Sequence, residues 1–272
     1  MRYAILPILA CAMLAADDTG WRKAEQNDLS DGQVQEIIAK FAAKEAAFAK
    51  ARENYTYRQS VKVQEVDPDG KATGQHEIVS DIIFTEDGKR TEHVVRAPLD
   101  TLKNIQLTPE DEQDLRNVQP FVLTTSEIPK YYVRSLGKQM VDEIPAYVFA
   151  VKPKHLEKGQ RYFQGEIWVD DRDLQIVKTY GRGVGLQKKN SDHKYPKFET
   201  YREQIDGKYW FPTYTHADDV LAFKEGPQGI RMLVTYKNYK QFKSEVNIQY
   251  GDAVGGTEPK KPEPTQPEPA KP

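Results

Sequence analysis

Three clusters in this sequence have the residue types that chemistry needs. Asp170-Asp171-Arg172-Asp173 could supply paired carboxylates for acid and base work, Gly181-Arg182-Gly183-Val184-Gly185 could cradle a phosphate, and His216 with Asp218 and Asp219 could begin a metal site. Each chemistry makes a structural demand. Acid–base catalysis needs two carboxyls held at a defined separation away from water. The acidic run instead follows a strand-like alternation with Phe163, Ile167 and Val169 on one side and Tyr162, Gln164, Glu166 and Trp168 on the other, so it reads as the turn of a hairpin. A phosphate loop needs a helix directly behind it. Here Leu186 and the polar run from Gln187 to Lys197 follow, so residues 181–185 read as a flexible loop. On a strand His216 and Asp218 share a face while Asp219 points away, which leaves a metal without a third ligand. The remaining histidines, His76, His93, His155 and His193, show no paired ligand spacing. Nucleophile-elbow, Walker and dinucleotide-binding motifs are missing as well. The reading is a non-enzyme with no metal and no cofactor.

The elements around these clusters are mostly strands. Ser30 and Gln33 form a capping-box pattern ahead of Val34, Ile37, Ile38, Phe41, Ala42 and Phe48, predicting an amphipathic helix over 31–53 that Glu45 interrupts. From Asn54 the period becomes two, with Tyr55, Tyr57, Val61 and Val63 on one face. Strands at 76–85 and 90–96 flank the tight-turn dipeptide Asp87-Gly88. Thr108-Pro109-Glu110-Asp111 starts a short helix reaching about 117. Further strands are expected near 131–136, 145–152, 161–170, 174–180, 197–205, 209–223 and 230–243, separated by turn signals such as Gly226-Pro227. About ten strands without intervening long helices predict a mainly β (α+β) fold: a curled antiparallel sheet, or unclosed β-barrel, with the N-terminal helix and a short lid helix on its concave side.

Composition narrows the partners. With 39 Lys+Arg against 41 Asp+Glu the formal net charge is −2, which gives no field to attract nucleic acid. Arg2 followed by the apolar run from Tyr3 to Ala16 reads as a signal peptide over 1–16, too short to span a bilayer, and places the protein in the periplasm. Ile8-Leu9-Ala10-Cys11 leaves a lipidated Cys11 open, and with it peripheral membrane contact. A linker over 17–30 precedes the β domain at 31–250. Pro259, Pro262, Pro264, Pro267, Pro269 and Pro272 mark a disordered, extended tail at 251–272.

Large rings recur on nearly every strand of the second half, as in Tyr131-Tyr132, Tyr147, Phe149 and Tyr209-Trp210-Phe211. Ordinary β-core pairing explains them singly. A curled sheet with only two short helical fillers, however, tends to leave an apolar cavity.

Phe84–Pro98 (FTEDGKRTEHVVRAP), Phe163–Gly181 (FQGEIWVDDRDLQIVKTYG) and Phe198–Asp218 (FETYREQIDGKYWFPTYTHAD) resemble the hairpins of the LolA/LolB-like periplasmic family of outer-membrane lipoprotein-sorting proteins, over roughly 31–245. The resemblance implies an unclosed barrel that binds acyl chains on its concave face without chemistry. It departs at Arg96-Ala97-Pro98, where an Arg-Pro pair is the family pattern, so no lid-latching role passes to Arg90 or Arg96. The implied partner is a lipid or an acylated lipoprotein, bound in a hydrophobic cavity formed by Ile83, Val94, Tyr147, Phe149, Phe163, Ile167, Val169 and Phe211. An alternative is a cell-envelope sensor or scaffold that meets a protein partner through its Pro-rich tail.

Overall fold

The computed structural model describes residues 29–85, 88–186 and 194–241. The signal-peptide and tail readings, Cys11, Asp87 and His193 lie outside the described residues, as does nearly all of the 17–30 linker. No helix among the described residues is long and apolar enough to cross a membrane.

Helix α1 (Asp31–Arg52) begins as the sequence implies: Gln33 N–H donates to the Ser30 hydroxyl, and the Ser30 N–H donates to Gln33 Oε1 at 2.8 Å. Its buried stripe is Ile38, Phe41, Ala42, Glu45 and Phe48, so the residue that interrupts the apolar pattern is itself fully buried.

Ten antiparallel strands follow: β1 (Tyr55–Val66), β2 (Ala72–Phe84), β3 (Arg90–Arg96), β4 (Tyr131–Val141), β5 (Ile144–Pro153), β6 (Tyr162–Asp170), β7 (Ile176–Val184), β8 (Phe198–Ile205), β9 (Tyr209–Phe223) and β10 (Gly226–Gln241). Their order in the sheet is β3-β2-β1-β10-β9-β8-β7-β6-β5-β4. The sheet is therefore unclosed, with β3 and β4 as its two edges. The chain works outward from β1 to β3, then must pass to the opposite edge before returning strand by strand until β10 pairs with β1. Residues 97–130 make that crossing. They include α2 (Pro109–Gln113), capped by Thr108, and one π-helical turn (Asp114–Val118) closed by the Gln119 N–H to Asp114 carbonyl bond at 2.8 Å.

One face of the sheet packs on α1 and on this crossover. Phe41 lies 5.3 Å from Phe149, ring centre to ring centre, and Phe121 of the crossover stacks on Phe163 at 4.6 Å. Ile167, Val169, Ile176, Phe198, Met232 and Val234 complete the same core. Each such side chain contributes about 1.5–3 kcal/mol by leaving water. The opposite face of β4–β8 carries a smaller cluster around Val148, Trp168 and Val177.

Two strand expectations need correction. Gly181–Val184 is the end of β7 and not a loop, because its glycines meet a crowded neighbour: a Cβ on Gly181 would lie 2.7 Å from the Phe163 ring, and one on the facing Gly165 would lie 2.1 Å from the Tyr180 carbonyl oxygen. Here glycine permits close approach where composition suggests a turn. Gly226-Pro227 likewise opens β10, and the reversal falls on the two residues before it.

Candidate functional site

A notch in the sheet wall follows from unequal strand lengths. β8 starts only at Phe198, while its neighbour β7 runs on to Val184 and its other neighbour β9 to Phe223. Pro196 has no N–H to extend the ladder. Beyond Phe198 the space between β7 and β9 is a cleft of about 560 Å³, walled by Leu156, Val184, Val220 and Leu221 and edged by Arg182 and Lys197.

Tyr195 lies at the bottom of the cleft. Its ring carries the Arg161 guanidinium at 3.8 Å, and burial pushes its hydroxyl pKa up. Arg161 in turn grips Asp114 of the π-helical turn with two bonds, Nε to Oδ1 at 2.8 Å and Nη2 to Oδ2 at 2.5 Å, both side chains being nearly buried. Burial pushes the Asp114 carboxyl up, against the pull of Arg161; burial also opposes the Arg161 charge, which Asp114 holds in place. The pair accounts for Gly183, since a Cβ there would lie 2.0 Å from Asp114 Oδ2.

Beside Tyr195 a partly open, mainly apolar pocket of about 40 Å³ is lined by Val63, Leu107, Leu115, Phe198, Ile230 and Met232, with Asp111 and Asp114 among its polar residues. That is room for about one water-sized group. At its edge Gln119 donates to Met232 Sδ at 3.3 Å, and its Oε1 is buried without a partner among the described residues. Tyr195 lines both spaces.

The rest of the concave face is occupied by the protein itself. Ile105, Leu107, Leu115, Val118, Phe121 and Leu123 of the crossover pack into the main core. The crossover is tied down at its entry by Glu65, whose Oε1 accepts the Lys103, Asn104 and Ile105 N–H groups at 2.9, 2.5 and 2.7 Å, and further along by Asp114.

No family model matches the sequence, and no curated protein matches it. Among solved structures the fold is similar to a DUF1329 family protein from Desulfovibrio piger, at 14% identity over 77% of this chain and 93% of that one, with a TM-score of 0.44. A LolA superfamily protein from Nitrosomonas europaea is similar at 13% identity over 76% of this chain and 93% of that one, with a TM-score of 0.34. A putative outer membrane lipoprotein-sorting protein domain from Vibrio parahaemolyticus gives 12%, 76%, 94% and 0.34 in the same order.

The structure separates the residues that the sequence groups as a cavity. Phe149, Phe163, Ile167 and Val169 share one buried cluster beneath α1 and the crossover, with Tyr147 partly buried against it. Phe211 belongs to a neighbouring cluster with Phe48 and Tyr55. Ile83 follows the fully buried Ile82 and so points to the opposite face, 39% exposed. Val94 pairs with the buried Ser80 but sits on the edge strand, 49% exposed. Among the chemistry candidates, Asp170 accepts the Arg172 and Asp173 N–H groups as a turn carboxylate does, and Asp218 pairs with Arg231 at 3.1 Å. No cluster of three or more potential metal ligands occurs among the described residues.

Sequence reasoning did not find Tyr195, Arg161 or Asp114. The one available signal was Tyr195-Pro196, an aromatic and a strand-breaking residue inside an otherwise polar run.

Proposed function

We propose that this protein is a periplasmic carrier or chaperone that binds an acyl chain, free or on a lipoprotein, against the concave face of its sheet and performs no chemistry. The observation that carries this reading is the crossover. Its apolar side chains, from Leu107 to Leu123, cover a sheet face that would otherwise be open, and polar contacts from Glu65 and Arg161 fasten them there. Such a segment is replaceable by another apolar chain, because surface burial of about 25 cal/mol per Å² rewards either occupant alike. A bound chain takes the place of part of the crossover, enlarging the small pocket beside Tyr195.

Titration of the detergent-free protein with a fluorescent acyl probe, alongside native mass spectrometry, tests this. Saturable binding of one probe, weakened by Leu115→Trp at unchanged melting temperature, is the expected result. Absence of saturable binding by any acyl probe overturns it.

A second reading, a cell-envelope sensor or scaffold, draws support from β3. This edge strand exposes Val94, Val95 and, just beyond it, Leu99 beside a row of backbone groups with no neighbouring strand. Pull-down of one envelope protein by the wild type, lost on Val95→Glu with acyl binding intact, would favour it.

A further inference from the structure

The cleft at the end of β8 carries a charge pattern that the apolar interior does not explain. The β7–β8 ladder ends at the pair Gly181 and Phe198, and Arg182 and Lys197, the next residue beyond each, both line the cleft. Both are exposed, both edge the cleft, and neither has an ion-pair partner among the described residues. Lys194 lines the same cleft.

Two of the three acids around them are paired with other cations, and the third is held by backbone N–H groups. Glu199, on the same face, holds Lys178 at 2.7 Å and approaches His216 at 3.5 Å. Asp218 is paired with Arg231. Asp219 also lines the cleft, but its Oδ2 accepts the Lys197 N–H at 3.0 Å and its Oδ1 the Val220 N–H at 2.8 Å. The same cleft has apolar walls at Leu156, Val184, Val220 and Leu221, and ends at Tyr195, beside which lies the small apolar pocket.

We infer that this notch is the headgroup subsite for an anionic amphiphile: Arg182 and Lys197 hold a carboxylate or phosphate at the rim while the attached chain passes Tyr195 into the interior. The inference rests on the carrier reading and adds the sign of the ligand's charge and its point of entry. A neutral chain would gain the apolar walls alone. An anionic one also meets the two cations at the rim.

The test compares cis-parinaric acid with its methyl ester, titrated by fluorescence into the full chain and into an Arg182→Glu/Lys197→Glu variant. In the wild type the acid should bind more tightly than the ester by about tenfold, the sum expected of two partly exposed ion pairs. The preference should vanish in the variant while ester affinity is unchanged. It should also vanish in the wild type at about 1 M salt, where the screening length is about 3 Å, an arm that needs no variant. Equal affinities for acid and ester, or a preference that survives both salt and charge reversal, overturn the inference and leave the carrier reading standing. If neither probe binds, the carrier reading falls and the inference with it. Inorganic phosphate is the last arm. Phosphate binding that is lost in the variant, with the acid bound no more tightly than the ester, assigns the notch to a free anion and overturns the amphiphile.

Discussion

Among the described residues two carboxylate–guanidinium pairs are buried, and their surroundings differ. Glu45 and Arg202 meet in the deep core, at 0% and 1% side-chain exposure, with Arg202 Nη1 3.1 Å from Glu45 Oε1. Every contact there is also a staple. Glu45 Oε1 accepts the Ile176 N–H of β7 at 3.1 Å, and Arg202 Nη2 donates to the Phe121 carbonyl of the crossover, so α1, β7, β8 and residue 121 are joined at one point. Asp114 and Arg161 meet at the rim, at 9% and 5% exposure, with Tyr195 laid over the guanidinium. The same two functional groups thus lock a centre in one place and fasten a mouth in the other. The distinction is what each pair touches: the deep pair joins α1, β7, β8 and Phe121, the rim pair a turn and a loop residue bordering the cleft.

Removing one partner should separate the roles, and the largest effect belongs to the core. Glu45→Ala leaves Arg202 charged, buried and unpaired and also orphans the Ile176 N–H, a loss of about 3–5 kcal/mol. Urea denaturation should show it. Replacing both partners together by Met should recover much of that loss, since two well-packed apolar side chains avoid the desolvation that the pair must offset. A double replacement as damaging as the single one would mean that the backbone bonds, and not the charges, are the staple.

At the rim the expected cost is smaller and the functional effect larger. Asp114→Ala should lower stability by about 1–3 kcal/mol, the penalty of a group left without its partner close to solvent. It should also speed entry of an acyl probe, because the π-helical turn loses its hold on Arg161 and Tyr195. Stopped-flow fluorescence separates the two pairs: Glu45→Ala should leave the entry rate near the wild-type value under conditions where it is folded. Similar acceleration by both variants would abolish the distinction between lock and fastening.

These pairs also mark how far a sequence can be read. The faces of β6 were legible, because Phe163, Ile167 and Val169 alternate with residues of the other side and enter the main core, while Trp168 enters the cluster on the opposite face. α1 was legible from its cap and stripe. Glu45 looked like a flaw in the stripe, since its partner Arg202 is 157 positions away and only the sheet order brings them together. The crossover was legible as a short lid helix, but the pairing of Asp114 in its π-helical turn with Arg161, 47 positions away, is something local propensity does not encode. The cavity grouping divided for a similar reason. Alternation sets which residues share a face but not which face is covered: Ile82, not Ile83, is the buried neighbour on β2, and Val94 lies on the edge strand, half exposed.

The smallest expected effect is in acid, and it concerns the rim alone. Burial raises the Asp114 carboxyl above the ordinary aspartate value of about 3.9, with Arg161 acting in the opposite direction. A group whose folded pKa is raised binds its proton more tightly in the native state, so its contribution is most favourable below the ordinary value and declines as pH rises towards the folded one. The stability difference between wild type and Asp114→Asn should therefore shrink as pH climbs through that window and stay constant above it. Protonation also removes the charge that holds Arg161, so acyl-probe entry should quicken on acidification in the wild type and stay flat in Asp114→Asn. A stability difference that grows with pH would show instead that Arg161 outweighs burial, which would make the rim pair a second lock like the first.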